Sequence, residues 1–178
     1  ATRVVPPYGT APGNPARIRG YAGADRMQTA PSTSSEAASG PAAEVEGVRL
    51  IDLHSVADLR GSLSVAQVGA QLPFAPKRIF FVHDVPTAEV PGEHAHRTLE
   101  QVLICVQGTI SVVVDDGRAR AEYQLDSVER ALYIPPKIWA IQYAYSRDAV
   151  LLVLASDEYD SDEYIRDYDE FQRITAAS

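Results

Sequence analysis

Two histidines, His94 and His96, stand two residues apart in the stretch Gly92-Glu93-His94-Ala95-His96-Arg97-Thr98-Leu99-Glu100-Gln101, directly before the apolar run 102–106. Side chains alternate faces along an extended chain, so imidazoles at i and i+2 share one side of a sheet. Imidazole titrates closer to neutrality than any other side chain, and a pair of them can move protons or bind a transition metal. With Glu100 the order His94-x-His96-x-x-x-Glu100 offers three N and O ligands for Zn, Fe, Mn or Ni. A plainer reading has the two rings satisfy hydrogen bonds inside a core. A metal site of this type usually takes a further histidine from a later strand. The segment after the next Pro-rich turn, Pro135-Pro136-Lys137-Ile138-Trp139-Ala140, has none.

Other polar residues could hold a ligand beside the pair. Arg60 precedes Gly61, and Lys77 with Arg78 opens an apolar run. Guanidinium forks match phosphate oxygens in pairs, so these three could grip a diphosphate, although basic residues at turns and strand ends are commonly just solvated. Tyr133 and Trp139 flank Pro135-Pro136 and could line a sugar or base pocket, or simply pack in the core. Glu100 could fix an imidazole tautomer without any metal.

The elements that must position these residues are short. After the stretch 22–46, rich in Ala, Ser, Gly, Pro and Thr and therefore of linker composition, the pattern turns to β-rich runs at 49–54, 78–84, 99–106, 109–114, 119–125, 131–134, 138–144 and 149–155. Turn signals at Arg60-Gly61, Pro91-Gly92, Gln107-Gly108, Asp115-Asp116-Gly117 and Pro135-Pro136 separate them. Eight such strands without alternating helices predict an all-β antiparallel sandwich or barrel, a small jelly roll. Asp160, with Glu163 three residues on, predicts a capped C-terminal helix carrying Tyr164, Tyr168 and Phe171 on one face through Ile174.

At 178 residues the chain can bury one good core and a small appendage. Its 16 basic and 24 acidic residues, net charge −8, argue against a nucleic-acid partner. No apolar run approaches the roughly 20 residues that span a bilayer. The single cysteine, Cys105, sits in an apolar run, which fits a buried structural thiol in a reducing, cytoplasmic compartment. The start at Ala1, with neither initiator Met nor signal-like core, reads as a processed or excised fragment.

The ordered set Asp58-x-Arg60-Gly61-x-Leu63, Pro73-Phe74-x-x-Lys77-Arg78, Gly92-x-His94-Ala95-His96, Asp115-Asp116-Gly117, Tyr133-Ile134-Pro135-Pro136-x-x-Trp139 and Leu154-Ala155-Ser156-x-x-Tyr159-Asp160-x-x-x-Tyr164-Ile165-Arg166 resembles the nucleotide-sugar 3,4-ketoisomerases of the cupin superfamily. That resemblance implies a cupin jelly roll (double-stranded β-helix) over residues 47–178, conversion of dTDP-4-keto-6-deoxyglucose to its 3-keto isomer without a metal or other cofactor, and a homodimer with exchanged strands. Val5-Pro6-Pro7-Tyr8, Gly13-Asn14-Pro15-Ala16 and Tyr21 resemble the closing segment of hexapeptide-repeat acyltransferases. Residues 1–21 are then the remnant of a left-handed β-helix acyltransferase, a second domain of the same polypeptide. Many ketoisomerases have an Arg where Pro91 stands, tyrosines at Phe80 and Phe81, and a His at Ala140.

On this reading His96 is the base that takes the C3 proton. His94 orients it or relays the proton, and Arg60, Lys77 and Arg78 hold the diphosphate. Glu100, Tyr133 and Trp139 complete the substrate site. Three other functions stay open: a non-catalytic sugar-nucleotide-binding or dimerisation module serving the acyltransferase, a metal-dependent cupin, and an epimerase that shares the first deprotonation.

Overall fold

The computed structural model describes residues 9–10, 20–21, 45–59, 61–86 and 93–177. Its strands are β1 (Gly9–Thr10), β2 (Gly20–Tyr21), β3 (Arg49–Asp52), β4 (His54–Asp58), β5 (Gly61–Val65), β6 (Arg78–His83), β7 (Ala95–His96), β8 (Gln101–Gln107), β9 (Ile110–Asp115), β10 (Arg120–Leu125), β11 (Arg130–Ile134), β12 (Trp139–Tyr143), β13 (Val150–Ala155) and β14 (Tyr164–Ile165), followed by helix α1 (Tyr168–Ala176). A five-stranded antiparallel sheet, β3-β11-β8-β13-β6, and a three-stranded one, β10-β9-β12, make the barrel walls. Short β7 pairs with β14, and a bridge from His94 to Ala140 ties its start to β12.

Alternation sorts the side chains into three layers. Leu103 and Cys105 of β8, Ile110, Val112 and Val114 of β9, Leu132 and Ile134 of β11, Ala140 of β12, and Leu151 and Val153 of β13 fill the interior. The intervening residues Val102, Ile104, Ala131, Tyr133 and Leu154 lie on the opposite face of the five-stranded sheet, under Leu53 and Leu72. Trp139, Ala95, Ile165 and Phe171 form a separate cluster with Tyr168 and Ile174 of α1. The β8–β9 turn requires Gly108, at φ +74°, because a Cβ there would lie 2.2 Å from the Ser146 hydroxyl and 2.8 Å from the Ala149 Cα. The Cys105 thiol is buried and donates to the Gln107 and Gly108 carbonyls, the structural role its apolar surroundings suggest.

Two elements differ from the sequence pattern. The helix expected from Asp160 is three pieces: a 3₁₀ turn at Ser161–Glu163 whose cap is Asp160, then β14, then α1, which is capped by Asp167 accepting from the Glu170 amide. Glu163 does not close a capping box. Its carboxylate accepts from the Thr98 and Leu99 amides and the Thr98 hydroxyl. Long-range partners thus hold this segment extended and override its local helical signal. The hairpin β4–β5 is also absent from the expected strands, since its polar and small residues lack a clean alternation and most of them are exposed.

Among the described residues β1 pairs only with β2. The rest of the expected acyltransferase remnant 1–21, and most of the linker 22–46, lie outside the described residues. The last two linker residues join the barrel: Val45 is buried in the interior cluster, and the Glu46 amide donates to the Asp116 carboxylate.

Candidate active site

The inward face of the His94–His96 segment opens at the end of the barrel where β6, β8 and β12 begin and β11 and β13 end. Ala95 points the other way, into the cluster under α1, so both imidazoles face the interior as their i, i+2 spacing predicts. Their Nε2 atoms lie 3.1 Å apart, with the rings edge to face. The Gln101 side-chain amide nitrogen is 3.1 Å from the same His96 Nε2. The Tyr164 ring, brought over by the β7–β14 pairing, sits 4.8 Å from the His94 ring and 4.6 Å from that of His96.

Two arginines complete the constellation. Arg166 stacks 4.4 Å over Tyr164, and Arg78 lies 5.5 Å from the Tyr159 ring and 5.1 Å from that of Phe80. Arg78 shares the inward face of β6 with Phe80 and Val82, both packed on the interior. Its Nε and one terminal nitrogen are buried with no hydrogen-bond partner among the described residues, as is Nδ1 of His96. Burying such groups unpaired costs about 1–3 kcal/mol each, more when charged, so three of them on two neighbouring side chains mark a place shaped for something other than stability. Burial first, then the nearby charges of His94, Arg78 and Arg166, holds His96 down to about 3. Burial, followed by Arg166, holds His94 down to about 4. Both rings are therefore neutral near pH 7, the state in which imidazole can accept a proton.

The other expected site residues are distributed differently. Lys77 is adjacent to Arg78 but pairs on the surface with Asp157 at 3.0 Å. Glu100 takes the parity opposite to Gln101: its carboxylate accepts from the Tyr133 hydroxyl, over whose ring Arg49 lies at 4.2 Å. Tyr133 is pushed up to about 12 by burial and then by Glu100, on the outer face of the sheet. Glu100 thus meets neither histidine, and Gln101 stands beside His96 in its place. Trp139 packs against Tyr168 and Phe171, ring centroids 5.2 and 5.6 Å away, as a core residue under α1 rather than a pocket wall. Arg60 and Pro91 lie outside the described residues. Among the described residues no group of three His, Cys, Asp or Glu side chains converges as a metal site would require.

Gln101, Tyr159, Tyr164 and Arg166 were not among the residues expected to act. Gln101 was detectable, as a polar residue in phase with inward Leu103 and Cys105. Tyr164 and Arg166 belong to a segment that reads locally as helix, Tyr159 stands just before its cap, and the β7–β14 pairing reveals where the segment lies.

A cupin-like barrel with a buried histidine pair and arginines at its mouth defines the class, that of sugar-nucleotide ketoisomerases and their kin. More narrowly, the chain belongs to the family described as FdtA: WxcM-like, C-terminal, whose sequence model matches residues 46–176. It is 41% identical over 128 residues to the TDP-4-oxo-6-deoxy-alpha-D-glucose-3,4-oxoisomerase of Aneurinibacillus thermoaerophilus, covering 72% of this chain and 92% of that one. The crystal structure of a 3,4-ketoisomerase from Helicobacter canadensis is 38% identical with a TM-score of 0.70, covering 73% of this chain and 98% of that one. The sugar 3,4-ketoisomerase QdtA of Thermoanaerobacterium thermosaccharolyticum, solved in complex with TDP, is 31% identical with a TM-score of 0.73, covering 75% and 98%.

Proposed function

We propose that this chain isomerises dTDP-4-keto-6-deoxyglucose to a dTDP-3-keto-6-deoxyhexose, in deoxysugar biosynthesis, by metal-free acid/base proton transfer. The observation that carries this reading is the neutral His94–His96 pair, His96 buried and His94 half-buried, near Arg78, two of whose guanidinium nitrogens are buried with no partner among the described residues, within a family whose named relatives are 3,4-ketoisomerases. His96 takes the proton from sugar C3, and the C3–H electron pair passes into an enediolate with the C4 carbonyl. A proton passes from the C3 hydroxyl to the C4 oxygen, and a proton returned at C4 leaves the carbonyl at C3. His94 orients His96 or relays its proton. Arg78 binds the diphosphate with Arg60 and Lys77, which fixes the ring for abstraction. Glu100, Tyr133 and Trp139 support the site from behind its wall. Trp139 and Ala140 are neighbours on β12, and Ala140 bonds His94 through both backbone groups.

The same reading extends to assembly. The β4–β5 hairpin ladders only with itself among the described residues and exposes Val56 and Leu63, while Ile79 and Phe81 are exposed on edge strand β6. An open edge and apolar residues of this kind suit a homodimer. Residues 1–21 are the remnant of an acyltransferase domain of the same polypeptide, and the compartment is the cytoplasm. No helix among the described residues is long and apolar enough to cross a membrane.

Incubation of the chain with dTDP-4-keto-6-deoxyglucose in D₂O, followed by NMR, tests the activity. Migration of the carbonyl from C4 to C3 with deuterium at C4 is the expected result. Deuterium exchange without carbonyl migration would replace the isomerase by an epimerase, and nucleotide binding without exchange by a non-catalytic module. Val56→Asp should convert a dimer to monomer in light scattering.

A further inference from the structure

Gln101 brings a side-chain amide against the proposed base, and it is buried, with 6% of its surface exposed. Its amide nitrogen faces His96 Nε2 at 3.1 Å. An amide nitrogen only donates, so the His96 nitrogen it meets has to present a lone pair. A neutral imidazole with a bare Nε2 carries its hydrogen on Nδ1. His94 approaches the same lone pair through its own Nε2 at 3.1 Å, and it too can bond there only as a donor.

We propose that Gln101 is a positioning residue that fixes the tautomer of His96, holding the hydrogen on Nδ1 and the basic lone pair on Nε2. The assignment rests on the ketoisomerase reading for its role in a reaction, but not for its geometry. It gives the two nitrogens separate work. Nε2, between His94 and Gln101, is where a proton is taken up. Nδ1 is buried and meets no partner among the described residues, so nothing there competes with Gln101 in placing the hydrogen. A neutral amide sets this arrangement without adding charge, whereas a carboxylate in its place would draw the hydrogen to Nε2 and favour the imidazolium.

The test is NMR of the full chain with ¹⁵N-labelled histidine rings at pH 7, the His96 signals being those lost in His96→Asn. In the unsubstituted protein His96 should show a protonated Nδ1 and a bare Nε2. Gln101→Leu, of similar volume, should abolish this single tautomer and lower kcat for the keto-sugar about 10²-fold with KM little changed. Gln101→Glu should move the hydrogen to Nε2 and bring a titration of kcat toward neutrality, because its carboxylate opposes the cations of Arg78 and Arg166. The other groups facing the ring are His94, held neutral there by burial, and the Tyr164 ring. A bare Nδ1 in the unsubstituted protein, or the same single tautomer in Gln101→Leu, overturns the assignment. The predicted tautomer in a protein that moves no carbonyl would instead refute the ketoisomerase reading and uphold this one.

Discussion

The two ends of the barrel carry the same residue types to opposite effect. At one end His83 Nδ1 lies 2.6 Å from the Asp84 carboxylate, with 60% and 90% of their side chains exposed, and Arg147 and Asp148 stand nearby around an open hollow. At the other end His94, His96 and Arg78 are drawn inward, and two nitrogens of Arg78 and one of His96 have no partner among the described residues. The strands are shared, for β6 runs from Arg78 at one end to His83 at the other. Fold alone therefore does not make a histidine reactive. The difference is burial without compensation, which keeps the rings neutral and leaves polar atoms with no partner among the described residues.

The strongest way to break this comparison is to remove the buried ring. His96→Asn should reduce carbonyl migration about 10²- to 10⁴-fold in the NMR assay, the range a general base contributes, while the protein still folds by circular dichroism. Undiminished turnover would make the two ends equivalent and the proposed base wrong. Next in size is Arg78→Met, which keeps the apolar stem against Phe80 and deletes the fork. A charge-assisted pair of hydrogen bonds is worth roughly 1.5–3 kcal/mol, so KM or the Kd for dTDP should rise about 10- to 100-fold in titration calorimetry. The same deletion should leave the chain as stable or more so, since a buried unpaired charge is removed.

The pair's titration sharpens the contrast further. Unfolding returns His94 and His96 from about 4 and about 3 to the ordinary value of 6.5. Between pH 6.5 and about 3 the unfolded chain takes up protons that the folded chain refuses, so stability falls as pH falls through that window and is fully present above it. The double variant His94→Asn/His96→Asn should lose less Tm than the unsubstituted chain between pH 6.5 and 4. Parallel Tm curves would show that the buried rings are not held neutral.

Most of the barrel was legible because strands with one face in the core alternate strictly: β8 reads Gln101, Leu103 and Cys105 inward against Val102 and Ile104 outward. The same parity made the histidine pair readable. It also separates Gln101 from Glu100, a distinction that depends on register and is lost when only the residue types are weighed. Tyr159, Tyr164 and Arg166 were hidden for another reason. Their segment has helical spacing and a good cap, and only Glu163 binding the 98–99 turn, together with the β7–β14 ladder, holds it extended beside the histidines. Trp139 shows the converse: an aromatic beside a Pro-Pro turn looks like a pocket wall until α1 is seen to cover it.

The smallest effect is expected at the exposed end, and it serves as the control for the rest. His83→Ala removes a ring whose hydrogen bond with Asp84 is largely solvated, and exposed polar contacts of this kind contribute about 0–1 kcal/mol. Asp84 holds a left-handed backbone, φ 54°, which the substitution does not relieve because Asp84 itself is unchanged. Stability by urea titration should therefore shift by no more than about 0.5 kcal/mol, and carbonyl migration should proceed at the unsubstituted rate. If His83→Ala instead slowed turnover as His96→Asn does, the outward hollow lined by Phe81, Gln107 and Arg147 would have to be part of the reacting site, and burial would lose its standing as the mark that separates the two ends.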